Sequence, residues 1–272
     1  MRKTLGGKGL TKYSAIRVIK NFALSQLRSE YVEVQGNKMH LDAKDCLQLS
    51  INEIFEPIET NIIKREIQNG DIVLDIGANI GYYTLMMAKS VGKKGKVFAF
   101  EPEPSNFNIL KKNVAINKYD NIVLEQKAVG NKNGRTKLYL SEKDTVRHAT
   151  HKSKWCKDSL EVDIVKLDDY FGNNVERIDF IKVDVEGGEI DVFKGMLKIL
   201  QNNKRIKMLV EFIPEHIIER GSKPEELLQF LITQDFKLSR INEQEKVFVP
   251  INSFKEILEL DFNGRNLFCE RV

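Results

Sequence analysis

Cysteine, tryptophan and long apolar runs are all scarce in this 272-residue chain, and each scarcity removes a class of protein. The three cysteines, Cys46, Cys156 and Cys269, are far apart and form no Cys-x-x-Cys pair, so neither a disulfide framework nor a zinc module is expected. No apolar run approaches the roughly 18 residues that span a bilayer. The first residues also lack the apolar core and small-residue cleavage site of a secretory leader. A cytoplasmic location is the resulting expectation. With 42% hydrophobic residues the chain has enough apolar material for one large core.

Acidic residues are missing from one place in particular. Residues 1–29 carry Arg2, Lys3, Lys8, Lys12, Arg17, Lys20 and Arg28 and no acid, while the rest of the chain holds 36 basic and 39 acidic residues. Ile16, Ile19, Ala23 and Leu27 recur at helical spacing within that arm. A basic amphipathic helix is expected there. It suits either peripheral contact with an anionic membrane surface or packing over the following domain.

The most informative stretch runs from Asp71 to Thr84. An apolar strand ends in Asp75, breaks at Gly77-Ala78-Asn79-Ile80-Gly81, and opens a helix near Tyr82. Gly77 and Gly81 permit backbone angles and close approaches that a side chain blocks, and Asn79 tolerates a left-handed conformation. The helix start favours an anionic group. A second strand, Val97 to Phe100, ends in Glu101-Pro102, where a doubly wound fold places an acid against ribose hydroxyls. A dinucleotide fingerprint would need glycines where Asn79 and Tyr82 stand, which weakens an NAD reading. The spacing of Asp75, Gly77 and Gly81 instead resembles motif I of class I S-adenosylmethionine-dependent methyltransferases.

The flanking pattern alternates strand and helix: strand 72–75, helix 81–89, strand 96–100, helix 104–117 and strand 121–125. That rhythm predicts a doubly wound, mostly parallel α/β sheet. Ahead of it, short strands are expected around the Gly36-Asn37 turn and a helix over 54–68. Asn131 to Gly134 is a hairpin signal, with strands at 136–140 and 160–165. The polar stretch 141–159, with His148, His151 and Trp155, reads as a substrate lid or a surface loop. Helix 224–234 and strands 236–241 and 266–270 suit an antiparallel C-terminal hairpin, with a turn at Asn263-Gly264. A division into an N-terminal extension, residues 1–50, and a main domain, residues 51–272, follows.

A second charged strand end is Ile181-Lys182-Val183-Asp184-Val185-Glu186-Gly187-Gly188-Glu189. Charged groups there are costly to bury unless paired or used. Asp184 is the first candidate general base for an acceptor hydroxyl, with Glu186 orienting the acceptor or sharing that role. Lys182, two residues before Asp184, faces the same side and can anchor it. Glu211 ends the next strand, and His216 follows Pro214; both are weaker candidates. A structural ion pair at Lys182 and Asp184 is the plain alternative.

These segments, with Phe100-Glu101-Pro102 and Ala128-Val129-Gly130, resemble the FkbM family of S-adenosylmethionine-dependent methyltransferases from about residue 40 onward. Lys182-x-Asp184-x-Glu186-Gly187-x-Glu189 is the most specific part. The resemblance implies a Rossmann-like domain that methylates a hydroxyl oxygen on a sugar, glycan or natural product. It also implies S-adenosylmethionine held by Asp75, Gly77, Ala78, Asn79, Gly81, Tyr82, Glu101, Pro102 and Ala128, with no resident metal. The Asn-Pro-Pro-Tyr type motif of amino-group methylation is absent. RNA as acceptor is disfavoured by the acidic balance outside the arm. A NAD-dependent sugar oxidoreductase and a non-catalytic binding module of the same fold are the competing readings. Oligomeric state is left open.

Overall fold

The computed structural model of the protein describes residues 31–52, 54–141, 148–152, 156–172, 177–242, 247–251 and 266–271. The expected basic helix within residues 1–29, Trp155 and the Asn263-Gly264 turn lie outside the described residues.

Five parallel strands form the frame: β3 (Ile72–Ile76), β4 (Lys96–Phe100), β5 (Ile122–Glu125), β9 (Phe180–Val183) and β10 (Lys207–Glu211). They pair in the order β10, β9, β3, β4, β5. Each is a short run centred on apolar residues, and helices cover both faces, as parallel sheets require. Alternate residues therefore feed opposite layers. Leu74, Ile76, Ile181, Val183, Met208 and Val210 enter one apolar cluster, while Val73, Phe180 and Leu209 enter the other.

The crossover helices begin and end where local chemistry dictates. Helix α1 (Pro57–Glu66) starts at a proline in its first turn, so it is shorter than the 54–68 span expected. Helix α2 (Tyr82–Val91) is buried from Tyr82 to Ala88, with Gly81 (φ 95°) as its N-cap. Helix α3 (Pro104–Asn117) is capped by Glu103, whose carboxylate accepts from Asn106 N–H at 2.6 Å.

The N-terminal hairpin, β1 (Val32–Val34) and β2 (Asn37–Met39), turns through Gln35 (φ 53°) and Gly36 (φ 76°). Two successive left-handed residues define the two-residue turn, one position earlier than expected. Asn113 and Asn117 of α3 exchange hydrogen bonds with the backbone of His40 and Lys38, and Val34 and Met39 are buried beside Ile62 and Leu85.

Beyond β10 the sheet becomes antiparallel. β13 (Asn266–Arg271) inserts between β10 and β11 (Phe236–Asn242), which confirms the expected C-terminal hairpin. A further edge strand, β12 (Val247–Pro250), pairs with β11 and was not foreseen. Its terminal proline is tolerated because an edge strand has one unpaired side.

A second sheet of three strands stands apart: β6 (Ala128–Val129), β7 (Gly134–Ser141) and β8 (Cys156–Val165), with β8 central. β8 begins four residues before the apolar alternation that marked its start at Leu160, because pairing with β7 carries it through Cys156 to Ser159. The stretch expected as loop 141–159 is correspondingly narrower, and Ala149 bridges back to Tyr139.

Candidate active site

The carboxyl ends of β3, β4, β9 and β10 open into a cavity of about 480 Å³, within the usual range of small-molecule sites. Its floor comes from the large sheet and its far wall from Thr136, Leu138, His148, Thr150 and Ile164 of the small sheet and its loop.

The turn after β3 is built around Gly77. Its φ is 84°, and a Cβ there would lie 1.8 Å from the Asp184 carbonyl oxygen, so only glycine lets the two strand ends meet. Gly77 and Ala78 N–H groups both donate to the Phe100 carbonyl at 3.0 Å. Asn79, at φ 50°, turns the chain and donates its N–H to Glu101 Oε2 at 2.8 Å; Glu101 Oε1 accepts from Glu103 N–H at the same distance. Burial pushes the Glu101 carboxyl up to about 8 against those two amide donors. A buried acid with lone pairs still free is suited to donors from a bound ligand.

Of the residues expected to hold the cofactor, Gly77, Ala78, Asn79, Tyr82, Glu101, Pro102 and Ala128 line this cavity. Asp75 and Gly81 do not. Asp75 is fully buried beneath the turn, where it accepts from Thr84 Oγ1 at 2.5 Å. The strand register sets it opposite Lys182 on the neighbouring strand. Burial holds its carboxyl above the usual range. Gly81 caps α2 and packs against Leu110.

The second cluster gathers at the ends of β9 and β10. Lys182 Nζ is buried, donates to Asp184 Oδ2 at 2.7 Å, and sits 4.7 Å from the Tyr83 ring centroid. Burial lowers the lysine's proton affinity, but Asp184, Asp75 and Glu56 outweigh it and raise the value above normal. Lys182, Asp184, Glu186 and Glu211 line the cavity; His216 does not. It stands behind Glu186, with Nδ1 2.8 Å from Oε2, because helix α7 (Pro214–Glu219) runs under the cavity floor rather than into it. Burial, and then Asp184, Glu186 and Glu189, push the Glu211 carboxyl well above the usual range.

Several residues escaped the sequence reading. Glu56 reaches the cavity from the turn before α1, in a left-handed conformation (φ 42°), and accepts from Tyr83 OH at 2.6 Å. Burial raises its carboxyl to about 7, with Lys182 and Tyr83 pulling it down. Nothing in the local pattern Phe55-Glu56-Pro57 announces this. Arg220 also lines the cavity, donating to Thr150 Oγ1 at 2.7 Å and pairing with Asp191, which ties the roof to the floor. His148 accepts from Ser141 N–H through Nδ1. Burial, aided by Arg220, lowers His151 to about 4.

Comparison with known proteins places this geometry. The Methyltransferase FkbM domain model matches residues 75–238. Methyltransferase 1 of Beauveria bassiana is 28% identical over 144 residues, 46% of this chain and 57% of that protein. The hexuronic acid methyltransferase AglP of Haloferax volcanii is 28% identical over 142 residues, 52% of this chain and 56% of that protein. The chain thus spans little more than half the length of these two relatives. Among solved structures, a precorrin-6y C5,15-methyltransferase from Geobacter metallireducens superposes with a TM-score of 0.47 at 12% identity, covering 89% of this chain and all of that one. With the family model spanning more than half of its residues, the chain belongs to the FkbM family of S-adenosylmethionine-dependent methyltransferases.

Proposed function

We propose that the protein methylates a hydroxyl oxygen of a small polyhydroxylated acceptor, a sugar, glycan unit or natural product. The observation that carries this reading is the Lys182–Asp184 pair at the mouth of the Gly77 turn: a carboxyl group open to the cavity and held at 2.7 Å by a buried lysine, beside the residues proposed to hold the cofactor.

The cofactor, when bound, supplies an electrophilic methyl group on a sulfonium. Gly77, Ala78 and Asn79 would pass along its amino-acid portion, and Glu101 would accept from its ribose hydroxyls. The acceptor oxygen must meet the methyl group in line and lose its proton as the new bond forms. Asp184 is the proton acceptor in this reading, and the hydrogen bond from Lys182 holds its side chain in place. The side chain of Asp184 is 35% exposed, open to the cavity, whereas Lys182 is 4% exposed. Thr136, Thr150, His148 and Glu186 surround the same space with groups that hydrogen-bond hydroxyls. The relative from Haloferax volcanii, named for hexuronic acid, is consistent with a sugar acceptor.

Incubating the protein with methyl-labelled S-adenosylmethionine and a panel of neutral sugars, hexuronic acids, phenols and amines tests the reading. Label on oxygen of a sugar or other alcohol, lost in Asp184→Asn, supports it. Transfer to amines alone would overturn it.

A further inference from the structure

The cavity floor carries a donor set that methyl transfer by positioning and a single base does not need. Glu186, Glu211 and His216 come from the loop after β9, the end of β10 and helix α7, and one ligand atom from each lies within 4.8 Å of the others. An ion held at about 2.0–2.3 Å from each donor needs those atoms roughly 3–4.5 Å apart, which this spacing permits. We propose that these three residues form a divalent-cation site taking a first-row transition ion such as Mn²⁺ or Zn²⁺.

The chain is shaped to bring them together. Glu186 adopts φ 54°, and Gly187, at φ 90°, lies so close to α7 that a Cβ would stand 2.6 Å from the His216 carbonyl oxygen. That contact sets His216 Nδ1 2.8 Å from Glu186 Oε2. Glu211 supplies an independent observation: its Oε2 is buried and meets no hydrogen-bond donor. An unmatched buried acceptor is costly, and a cation at this point satisfies it.

Charge points the same way. Asp184, Glu186, Glu189 and Glu211 converge here, and the nearest cations are engaged elsewhere: Lys182 by Asp184 and Arg220 by Asp191. One imidazole nitrogen with two carboxylates suits Mn²⁺ or Zn²⁺ better than the all-oxygen sets of Ca²⁺ and Mg²⁺. Glu186 and Glu211 line the cavity, so the ion's remaining positions face it. Resting on the hydroxyl-methylation reading, those positions would receive acceptor oxygens and fix the hydroxyl beside Asp184.

The test reads binding, not activity. Full-length protein stripped with a chelator is titrated with Mn²⁺, followed by the resonance signal of the free ion, and with Co²⁺, followed by visible absorption. One ion per chain is expected, with affinity weakened at least about tenfold in both Glu211→Gln and His216→Ala. The Co²⁺ spectrum should also change in His216→Ala. Both variants should keep their S-adenosylmethionine affinity, which shows that they are folded. A wild-type protein that binds neither ion, or variants that bind as tightly as wild type, would reduce the cluster to a His216–Glu186 ion pair and overturn the proposal. Ion binding without any binding of S-adenosylmethionine would sink the methyltransferase reading instead and leave the site standing.

Discussion

Lys182 and Asp184 meet at 2.7 Å across the carboxyl end of one strand, the lysine buried and the acid open to the cavity. Asp75, opposite Lys182 in the sheet, and Glu56 face the same ammonium group. Breaking a buried pair by removing one partner leaves uncompensated charge, at a cost of about 3–5 kcal/mol. Lys182→Met is therefore expected to lose about that much stability near neutral pH. The folded pKa of Lys182 is raised, so its contribution is complete below the ordinary lysine value and fades only as pH rises through the higher folded one. The deficit of the variant should nevertheless shrink at acid pH, since Asp75 and Glu56, both raised, take up protons there and no longer need the cation. Urea denaturation of both proteins at pH 5 and pH 7.5 checks this. Equal stability at pH 7.5 would contradict the account.

Glu56 gives the opposite pH signature. Its carboxyl titrates at about 7 when folded against an ordinary 4.5, so the folded state holds this proton more tightly and loses stability as pH rises between those values. Glu56→Gln keeps an acceptor for Tyr83 OH and removes the charge. The variant should match wild type near pH 4 and exceed it by about 3 kcal/mol at pH 8. Thermal or urea melts across that range decide it, and a difference that does not vary with pH would rule it out.

Gly77 joins the strand turn to the cavity where the cofactor is proposed to bind. Gly77→Ala places a methyl group against the Asp184 carbonyl at a backbone φ of 84°. A loss above about 2 kcal/mol is expected, together with loss of S-adenosylmethionine binding. A variant with wild-type melting and affinity would show that the turn is looser than described.

Asp184→Asn separates binding from transfer. The carboxylate contributes no donor to the cofactor cradle, so cofactor affinity should stay within about twofold, while transfer to an identified acceptor falls about 10²–10⁴-fold, the range for a positioned base. Single-turnover measurement with saturating cofactor resolves the two. A parallel loss of cofactor affinity and rate would demote Asp184 from base to binding residue.

Much of this was legible in the chain because strand ends announce themselves. Val73-Leu74 closing on Asp75 and Gly77, Phe98 to Phe100 closing on Glu101, and Phe180 to Val183 closing on Asp184 each combine an apolar run with an acid, and the parallel pairing of β3 with β4 follows from the helix between them, whereas the place of β9 beside β3 does not. What periodicity could not give was direction across the sheet. Asp75 and Glu101 end neighbouring strands, yet Asp75 turns down to Thr84 and Lys182 while Glu101 turns into the cavity. Glu56 and Arg220 were invisible for another reason: their places depend on long-range packing of α1 and α7 against the strand ends. The spacing after Pro214 gave no hint that His216 stands against Glu186 instead of lining the cavity, because that placement depends on the close approach of Gly187 to its carbonyl.

Glu101 carries the central proposal, because its two oxygens accept from the backbone N–H groups of Asn79 and Glu103 while the side chain lines the cavity, where ribose hydroxyls of the cofactor are proposed to bind. Calorimetric titration of the full chain and of Glu101→Ala with S-adenosylmethionine, S-adenosylhomocysteine and NAD is the most direct test. The account predicts micromolar binding of the first two, no binding of NAD, and a loss of about tenfold or more in the variant, as expected when a buried hydrogen-bonding partner is removed. Binding of NAD alone, or of none of the three, would contradict it.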